Sequence, residues 1–90
     1  MSRNIIFSPK ALNEYIAWQT EDRKTLKKIN TLIADIQRNG YTGTGKPEML
    51  KGNLSGYCSR EINDKDRIVY TITEADDIEI IQCKGHYSDK

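Results

Sequence analysis

The sequence predicts one α+β domain spanning residues 1–90, with an N-terminal strand, two helices and then a three-stranded antiparallel meander. Three observations support this fold class. The chain has only 90 residues, enough for one modest core. Two consecutive amphipathic helical patterns fill its first half, and β-branched segments separated by polar turns fill its second half. We expect both helices to pack on one face of the sheet.

The chain opens with a predicted strand over residues 4–7, which contain two β-branched isoleucines. Ser8 followed by Pro9 is typical of an N-cap and a first helical residue, so the first helix begins there. Four residues at helical spacing form its predicted apolar stripe: Leu12, Tyr15, Ile16 and Gln19. Trp18 belongs to the same helix, and for these aromatic and aliphatic side chains core packing is favoured over base stacking.

A second helix is predicted from about Arg23, after the acidic break at Glu21 and Asp22, to the residue before Gly40. Its apolar stripe consists of Leu26, Ile29, Ile33 and Ile36. The opposite, polar face consists of Lys24, Lys27, Lys28, Asp35 and Arg38. This face either is simply solvated or contacts nucleic-acid phosphates.

Residues 40–53 form a long glycine-rich segment that we interpret as a functional loop. Strands are predicted after it over residues 57–62, 67–73 and 78–83, with polar turns between them. Along the last strand, alternation would point His86 and Tyr87 to opposite sides, so we expect the C-terminal end to leave regular β structure.

Charge and composition limit the function classes. The net charge is +1, but ten basic and five acidic residues precede Glu61, whereas four basic and eight acidic residues follow from it onward. This asymmetry is compatible with a surface that faces nucleic acid. No apolar run suits a membrane span or a secretory signal, so a cytoplasmic location is expected. Cys58 and Cys83 lack metal-site spacing and are expected to be reduced.

Few catalytic mechanisms fit this residue set. A single histidine, His86, does not suffice for a transition-metal site, and residues 43–46 lack the complete P-loop pattern. No metal or other cofactor is therefore expected. What remains is acid–base chemistry by Glu48 and His86, aided by Lys51, Arg60 and Arg67, which suits RNA cleavage because the substrate's own 2'-hydroxyl is the nucleophile.

Four segments carry a resemblance to a known family. They are IAWQTEDRKTLKKIN, GKPEMLKGNLSGYCSR, DRIVY and CKGHY, at residues 16–30, 45–60, 66–70 and 83–87. In order and spacing they resemble the YoeB or Txe toxins of bacterial toxin–antitoxin pairs, within the RelE-like superfamily. The resemblance implies a ribosome-dependent mRNA interferase that inhibits translation and that a cognate antitoxin holds inactive.

The resemblance also implies roles for individual residues. Glu48 matches the general base and His86 the general acid, while Arg67 matches the arginine that stabilises transition-state charge. Lys51 matches a lysine that contacts phosphate, and Tyr87 matches an aromatic residue that orients substrate.

Two further residues, Lys46 and Arg60, are expected to contact RNA. The sequence departs from the family pattern at Gly85, at Cys58, at Glu61, which stands where a second arginine is common, and in residues 88–90 after the usual terminal tyrosine.

Structural roles stay open for each site residue. Glu48 and Lys51 could be ordinary surface charges, and His86 an exposed residue near the end of the chain. Arg67 could be half of an ion pair with Asp64 or Asp66, and Tyr87 could pack on the helices.

The implied partners are a YefM/Axe-like antitoxin, the 70S ribosome and mRNA, with a homodimer open and no membrane expected. Two alternative functions remain: a catalytically silent ParE-like inhibitor of another target, and an RNA-binding or ribosome-binding module. A Glu and His pair argues against the first, because ParE-like relatives generally lack it.

Overall fold

A computed structural model describes residues 3–87 and contains a five-stranded mixed sheet with two helices. The strands are β1 (Ile5–Phe7), β2 (Glu48–Met49), β3 (Cys58–Glu61), β4 (Arg67–Ile72) and β5 (Ile78–Gln82). The helices are α1 (Pro9–Glu21) and α2 (Arg23–Asn39), and a short 3₁₀ helix spans Gly52–Leu54. The predicted α+β class, both helices and four of the strands are confirmed; the sequence did not predict β2, inside the glycine-rich loop.

The sheet has the strand order β1-β5-β4-β3-β2. The predicted meander is confirmed, because β3, β4 and β5 pair antiparallel in sequence order. Strand β1 pairs parallel with β5, and β2 pairs antiparallel with β3. Strand β5 ends at Gln82, so the last described residues leave regular β structure as expected.

Both helices begin with a side-chain cap, of which the sequence predicted the one at Ser8. The Ser8 hydroxyl accepts a hydrogen bond from the amide of Ala11 at 3.1 Å, and Pro9 takes the first helical position. The Asp22 carboxylate accepts from the amides of Lys24 and Thr25 at 3.1 and 3.2 Å, which starts α2 immediately after α1. The two helices therefore follow each other without a linker.

One hydrophobic core lies between the helices and one face of the sheet, as predicted. Its buried members are Ala11, Trp18, Ile29, Leu32, Ile36, Cys58, Ile62, Ile68, Tyr70, Ile78, Ile80 and Cys83. The indole of Trp18 donates a hydrogen bond to the carbonyl of Cys83 at 2.9 Å, which ties α1 to the chain just after β5. We call the sheet surface against this core the closed face and the opposite surface the open face.

The predicted apolar stripe of α1 is wrong, because the helix buries a neighbouring side. Leu12 and Ile16 are 42% and 51% exposed, whereas Ala11 and Trp18 are buried and Tyr15 packs partly against the core. Both sets have helical spacing, so periodicity alone does not separate them. The small Ala11 side chain lets α1 approach the chain after β5. There the carbonyl of Ala11 accepts a hydrogen bond from the Cys83 thiol at 3.6 Å.

The polar face predicted for α2 includes one residue that the structure places elsewhere. Asp35 is buried and pairs with Arg60 of β3, so it lies against the closed face of the sheet. No helix in the described part of the chain is long and apolar enough to cross a membrane.

Candidate active site

Four polar side chains share the open face because of strand pairing. Glu48 of β2 lies directly opposite Ser59 of β3, and Glu61 of β3 lies directly opposite Arg67 of β4. Ser59 and Glu61 are two residues apart and so point to the same side of the strand. Their neighbours Cys58 and Arg60 face the core or α2, which assigns this group to the open face.

These side chains line a cleft of about 420 Å³. The residues that form its walls are Lys46, Pro47, Glu48, Ser59, Glu61, Arg67 and Tyr87. The cleft thus joins the end of the glycine-rich loop, the middle of the sheet and the last residue that the structure describes. It combines carboxylates, cations and hydroxyls, the groups required for proton transfer and anion stabilisation.

Tyr87 connects the two sides of the cleft through its hydroxyl. This hydroxyl donates to Glu48 Oε1 at 3.1 Å and shares a second hydrogen bond of 3.1 Å with Ser59 Oγ. Burial raises the pKa of the phenol and the Glu48 carboxylate adds to this increase, whereas the Ser59 hydrogen bond lowers it. A phenol is protonated at neutral pH even at its ordinary pKa, and the increase moves Tyr87 further from ionisation, so it remains a donor toward Glu48.

The segment that carries Tyr87 is held by hydrogen bonds to its backbone. The Gln82 side-chain amide donates to the carbonyls of Gly85 and His86 at 2.9 and 2.8 Å. The amide of Gly85 donates to Asp66 Oδ1 at 2.7 Å, and its carbonyl accepts from the amide of Arg67 at 3.1 Å. The C-terminal segment is therefore fixed against β4 and the turn that precedes it.

Arg67 is oriented by backbone carbonyls. Its Nη1 donates to the carbonyls of Asn63 and Asp66 at 2.6 and 3.2 Å, both in the turn before β4. Its Nη2 lies 3.9 Å from Glu61 Oε2. The acidic side chain that pairs with Arg67 is therefore Glu61, in place of the Asp64 or Asp66 that the sequence left open.

Arg60 occupies the opposite side of β3 and is fully buried. Its Nη1 and Nη2 donate to the carbonyls of Thr44, Gly40 and Thr42, each at 2.8 Å. Nη1 also donates to Asp35 Oδ2, and Nε donates to the Tyr70 hydroxyl at 3.2 Å. These contacts use all five N–H donors of the guanidinium. The expectation that Arg60 contacts RNA is therefore wrong, because the side chain is enclosed and already saturated.

The buried Arg60 shapes the glycine-rich loop. The loop carbonyls that it binds lie just before Lys46 and Glu48, and Thr44 also donates its amide to Asp35 Oδ2 at 3.1 Å. A Cβ at Gly43, where φ is +126°, would lie 2.0 Å from the same carboxylate oxygen. The loop is thus packed against α2 and β3, and this packing sets where Glu48 enters the sheet.

Comparison with known proteins identifies the family. Residues 7–87 match the family described as "YoeB-like toxin of bacterial type II toxin-antitoxin system". The chain belongs to the YoeB family. It is 49% identical to Toxin YoeB of Streptomyces coelicolor and 45% identical to Toxin YoeB of Escherichia coli K12, in each case over 92% of this chain and 98% of the relative.

Solved structures of YoeB proteins have the same fold. The YoeB dimer from Staphylococcus aureus superposes with a TM-score of 0.87 at 50% identity, covering 97% of this chain and 100% of that one. A YoeB/ParE toxin from Agrobacterium tumefaciens gives a TM-score of 0.90 at 38% identity, covering 93% and 99% of the two chains. The RelBE2 toxin–antitoxin complex of Mycobacterium tuberculosis, at 15% identity and a TM-score of 0.71, shows the shared RelE-like fold alone.

The structure brings together only part of the residue set predicted for this YoeB family member. Lys46, Glu48, Arg67 and Tyr87 meet in the cleft. Lys51, exposed and preceding the 3₁₀ helix, does not line this cleft, and neither does the exposed His86 next to Tyr87. Within residues 3–87 no cluster of three His, Cys, Asp or Glu side chains is placed to hold a metal ion.

Besides Pro47, two polar cleft residues were not predicted as site residues. Ser59 is buried beneath the Tyr87 hydroxyl, and Glu61 faces both Lys46 and Arg67. Strand alternation on β3 could have suggested both, had the pairing of β2 with β3 been visible in the sequence. The departure noted at residues 88–90 lies outside the described residues.

Proposed function

We propose that this YoeB family toxin is a ribosome-dependent mRNA endoribonuclease that inhibits translation. The observation that supports this most strongly is the placement of the Glu48 carboxylate in the cleft, hydrogen-bonded to Tyr87, on the same sheet face as Arg67. A positioned base beside a fixed guanidinium is what RNA cleavage through the 2'-hydroxyl requires.

In the proposed reaction Glu48 takes the proton of the 2'-hydroxyl, whose oxygen then attacks the adjacent phosphorus. The 5'-oxygen of the next nucleotide leaves, which gives a 2',3'-cyclic phosphate and a 5'-hydroxyl. Addition of water to the cyclic phosphate gives its 3'-phosphate product. Arg67 and Lys46 lie where they would stabilise the extra negative charge on the phosphate oxygens. The substrate supplies the nucleophile, so the proposed steps need no cofactor.

We assign protonation of the 5'-oxygen to His86 and substrate orientation to Tyr87. His86 is exposed and adjoins Tyr87, which lines the cleft, so we expect its ring to be accessible to a bound strand. Tyr87 holds Glu48 by hydrogen bonding and remains protonated at neutral pH. Lys51 is assigned to a phosphate further along the RNA, because it is exposed and follows β2 closely.

The small size of the cleft supports dependence on the ribosome. A volume of about 420 Å³ is enough for about one nucleotide, so most of the mRNA strand must be held elsewhere. Correct placement of reacting groups can lower a barrier by about 7–11 kcal/mol, and the decoding centre of the 70S ribosome would supply it by fixing the mRNA.

We also propose that a YefM/Axe-like antitoxin neutralises the protein by covering this cleft. A solved structure of a relative from Staphylococcus aureus, 50% identical with a TM-score of 0.86, is a heterotetrameric YoeB–YefM complex. The exposed cations Lys46, which lines the cleft, and Lys51, which follows β2, suit an acidic segment that becomes ordered on binding. We extend the dimer of the Staphylococcus aureus relative to this chain as well; light scattering of the free toxin tests that assignment.

The test of the proposed function is cleavage of a defined mRNA by purified protein, with and without 70S ribosomes. We expect cutting only with ribosomes, and 5'-hydroxyl ends on the downstream fragments. Equal cleavage of free mRNA at the same sites would contradict ribosome dependence. Growth arrest without RNA cleavage by any preparation would favour the ParE-like or binding-module alternatives.

A further inference from the structure

Glu61 is a second carboxylate in the cleft, and the proposed reaction gives it no role. It lies on β3 directly opposite Arg67 of β4. Its Oε2 atom is 3.9 Å from Arg67 Nη2 and also 3.9 Å from Lys46 Nζ. A single carboxylate oxygen therefore faces both cations that line the cleft.

This carboxylate makes the cleft electrically balanced. The formally charged residues in its lining are two cations and two anions: Lys46, Arg67, Glu48 and Glu61. With all four ionised the cleft has no net positive charge to attract a polyanion. Without Glu61 the cations would outnumber the single carboxylate that the proposed reaction needs.

The geometry argues against a positioning role for Glu61. Both contacts, at 3.9 Å, are longer than the roughly 2.7–2.9 Å of a charge-assisted hydrogen bond. Arg67 is already held by the carbonyl of Asn63 at 2.6 Å, so its orientation does not depend on the carboxylate. Glu61 itself is fixed through its backbone amide, which donates to the carbonyl of Gly45 at 2.7 Å.

We infer that Glu61 is a tethered anion that occupies the position beside Arg67 and Lys46 where an RNA phosphate binds. An incoming phosphate must displace it, and the long ion pairs make this exchange feasible. Glu61 thereby lowers the affinity of the cleft for RNA that nothing else holds in place. The inference rests on the proposed function and adds a residue that selects a positioned substrate over free RNA.

The experiment compares Glu61→Gln with Glu74→Gln, which removes the same charge from an exposed turn between β4 and β5, at the end of β4 remote from Arg67. The probe is a fluorescent single-stranded oligoribonucleotide whose 2'-O-methyl groups prevent cleavage, and binding is followed by anisotropy at several salt concentrations. Thermal unfolding first confirms that both variants are folded.

We expect Glu61→Gln to bind the probe about threefold to tenfold more tightly than the wild type at low salt. Its slope of log affinity against log salt should be more negative by about 0.7, the value for one additional phosphate contact on a single strand. Glu74→Gln should stay within about twofold of the wild type, since screening reduces the effect of a distant charge.

Equal affinities for Glu61→Gln and Glu74→Gln, or weaker binding by Glu61→Gln, would overturn the inference. Because the probe cannot be cut, this binding measurement does not depend on whether the protein is a ribonuclease. If the wild type cuts ribosome-bound mRNA but Glu61→Gln gains no affinity for the probe, only the inference about Glu61 is excluded. If Glu61→Gln gains affinity for the probe but the wild type cuts no mRNA, the inference about Glu61 is supported and the proposed ribonuclease function is excluded.

Discussion

Arg60 and Arg67 lie on neighbouring strands, yet the two faces of the sheet give them different environments. On the closed face Arg60 is fully buried and its guanidinium is bound by Asp35, Tyr70 and three loop carbonyls. On the open face Arg67 is held on one side only and directs Nη2 toward the cleft. The direction of a side chain from its strand, rather than its residue type, thus decides which arginine is available to a substrate.

The closed face is expected to determine stability and the open face activity. The loop that Arg60 binds leads directly into Lys46 and Glu48, so the buried contacts set the position of the cleft without touching its ligand. Substitutions on the closed face should therefore lower the free energy of unfolding. Substitutions on the open face should change the rate of cleavage and leave stability nearly unchanged.

The largest expected effect on stability is that of Arg60→Met. It leaves the Asp35 carboxylate buried without its cation and several loop carbonyls without a donor, so unfolding should require about 3–5 kcal/mol less free energy. Urea denaturation measures this. The matched open-face variant Arg67→Met should lose less than about 1 kcal/mol, and equal losses in the two variants would contradict the distinction between the faces.

Gly43→Ala should have the next largest effect. At this residue φ is +126°, and the new Cβ would lie 2.0 Å from Asp35 Oδ2, so the loop must shift. We expect a loss of about 2–4 kcal/mol from backbone strain and the displaced ion pair. Gly56→Ala is the control, because φ there is +93° and no atom lies within 4 Å, leaving only about 1–2 kcal/mol of strain.

The acid dependence of stability should show the Asp35 ion pair. Its hydrogen bond with Arg60 holds the pKa of Asp35 below 3.8 despite desolvation. A lowered folded-state pKa contributes stability that is present above about pH 4 and is lost as the pH falls through the folded value. The difference in unfolding free energy between wild type and Asp35→Asn should therefore shrink below pH 4. A difference that is constant from pH 7 to pH 3 would exclude this linkage.

Tyr87→Phe should have only a small effect on stability. The hydroxyl bridges Glu48 and Ser59 on the open face, and its loss should cost less than about 1 kcal/mol of unfolding free energy. Cleavage of ribosome-bound mRNA should fall by roughly 10- to 100-fold, because Glu48 loses the group that orients it. A variant that unfolds as readily as Arg60→Met would place Tyr87 in the scaffold instead.

The sequence predicted the elements better than their orientations. The cap at Ser8 and the acidic break before α2 are local signals, and the structure confirms both. The buried side of α1 and the burial of Arg60 depend on which residue meets which across the core, and no local pattern contains that information. The two-residue strand at Glu48 is equally dependent on its pairing with Ser59.

For the same reason, the site was only partly predictable. Lys46, Glu48, Arg67 and Tyr87 were named from residue types and family resemblance, and the structure groups them in one cleft. Glu61 acquires its position only when β3 and β4 pair, which places it opposite Arg67.

The most direct test of the proposed role of the open face is single-turnover cleavage of ribosome-bound mRNA by Glu48→Gln. This variant keeps the size of the side chain and a hydrogen-bond acceptor for Tyr87 but cannot take a proton. We expect its rate to fall by about 10²- to 10⁴-fold with an unchanged unfolding midpoint, whereas Glu74→Gln keeps the wild-type rate. Cleavage by Glu48→Gln at the wild-type rate would contradict the assignment of Glu48 as the general base.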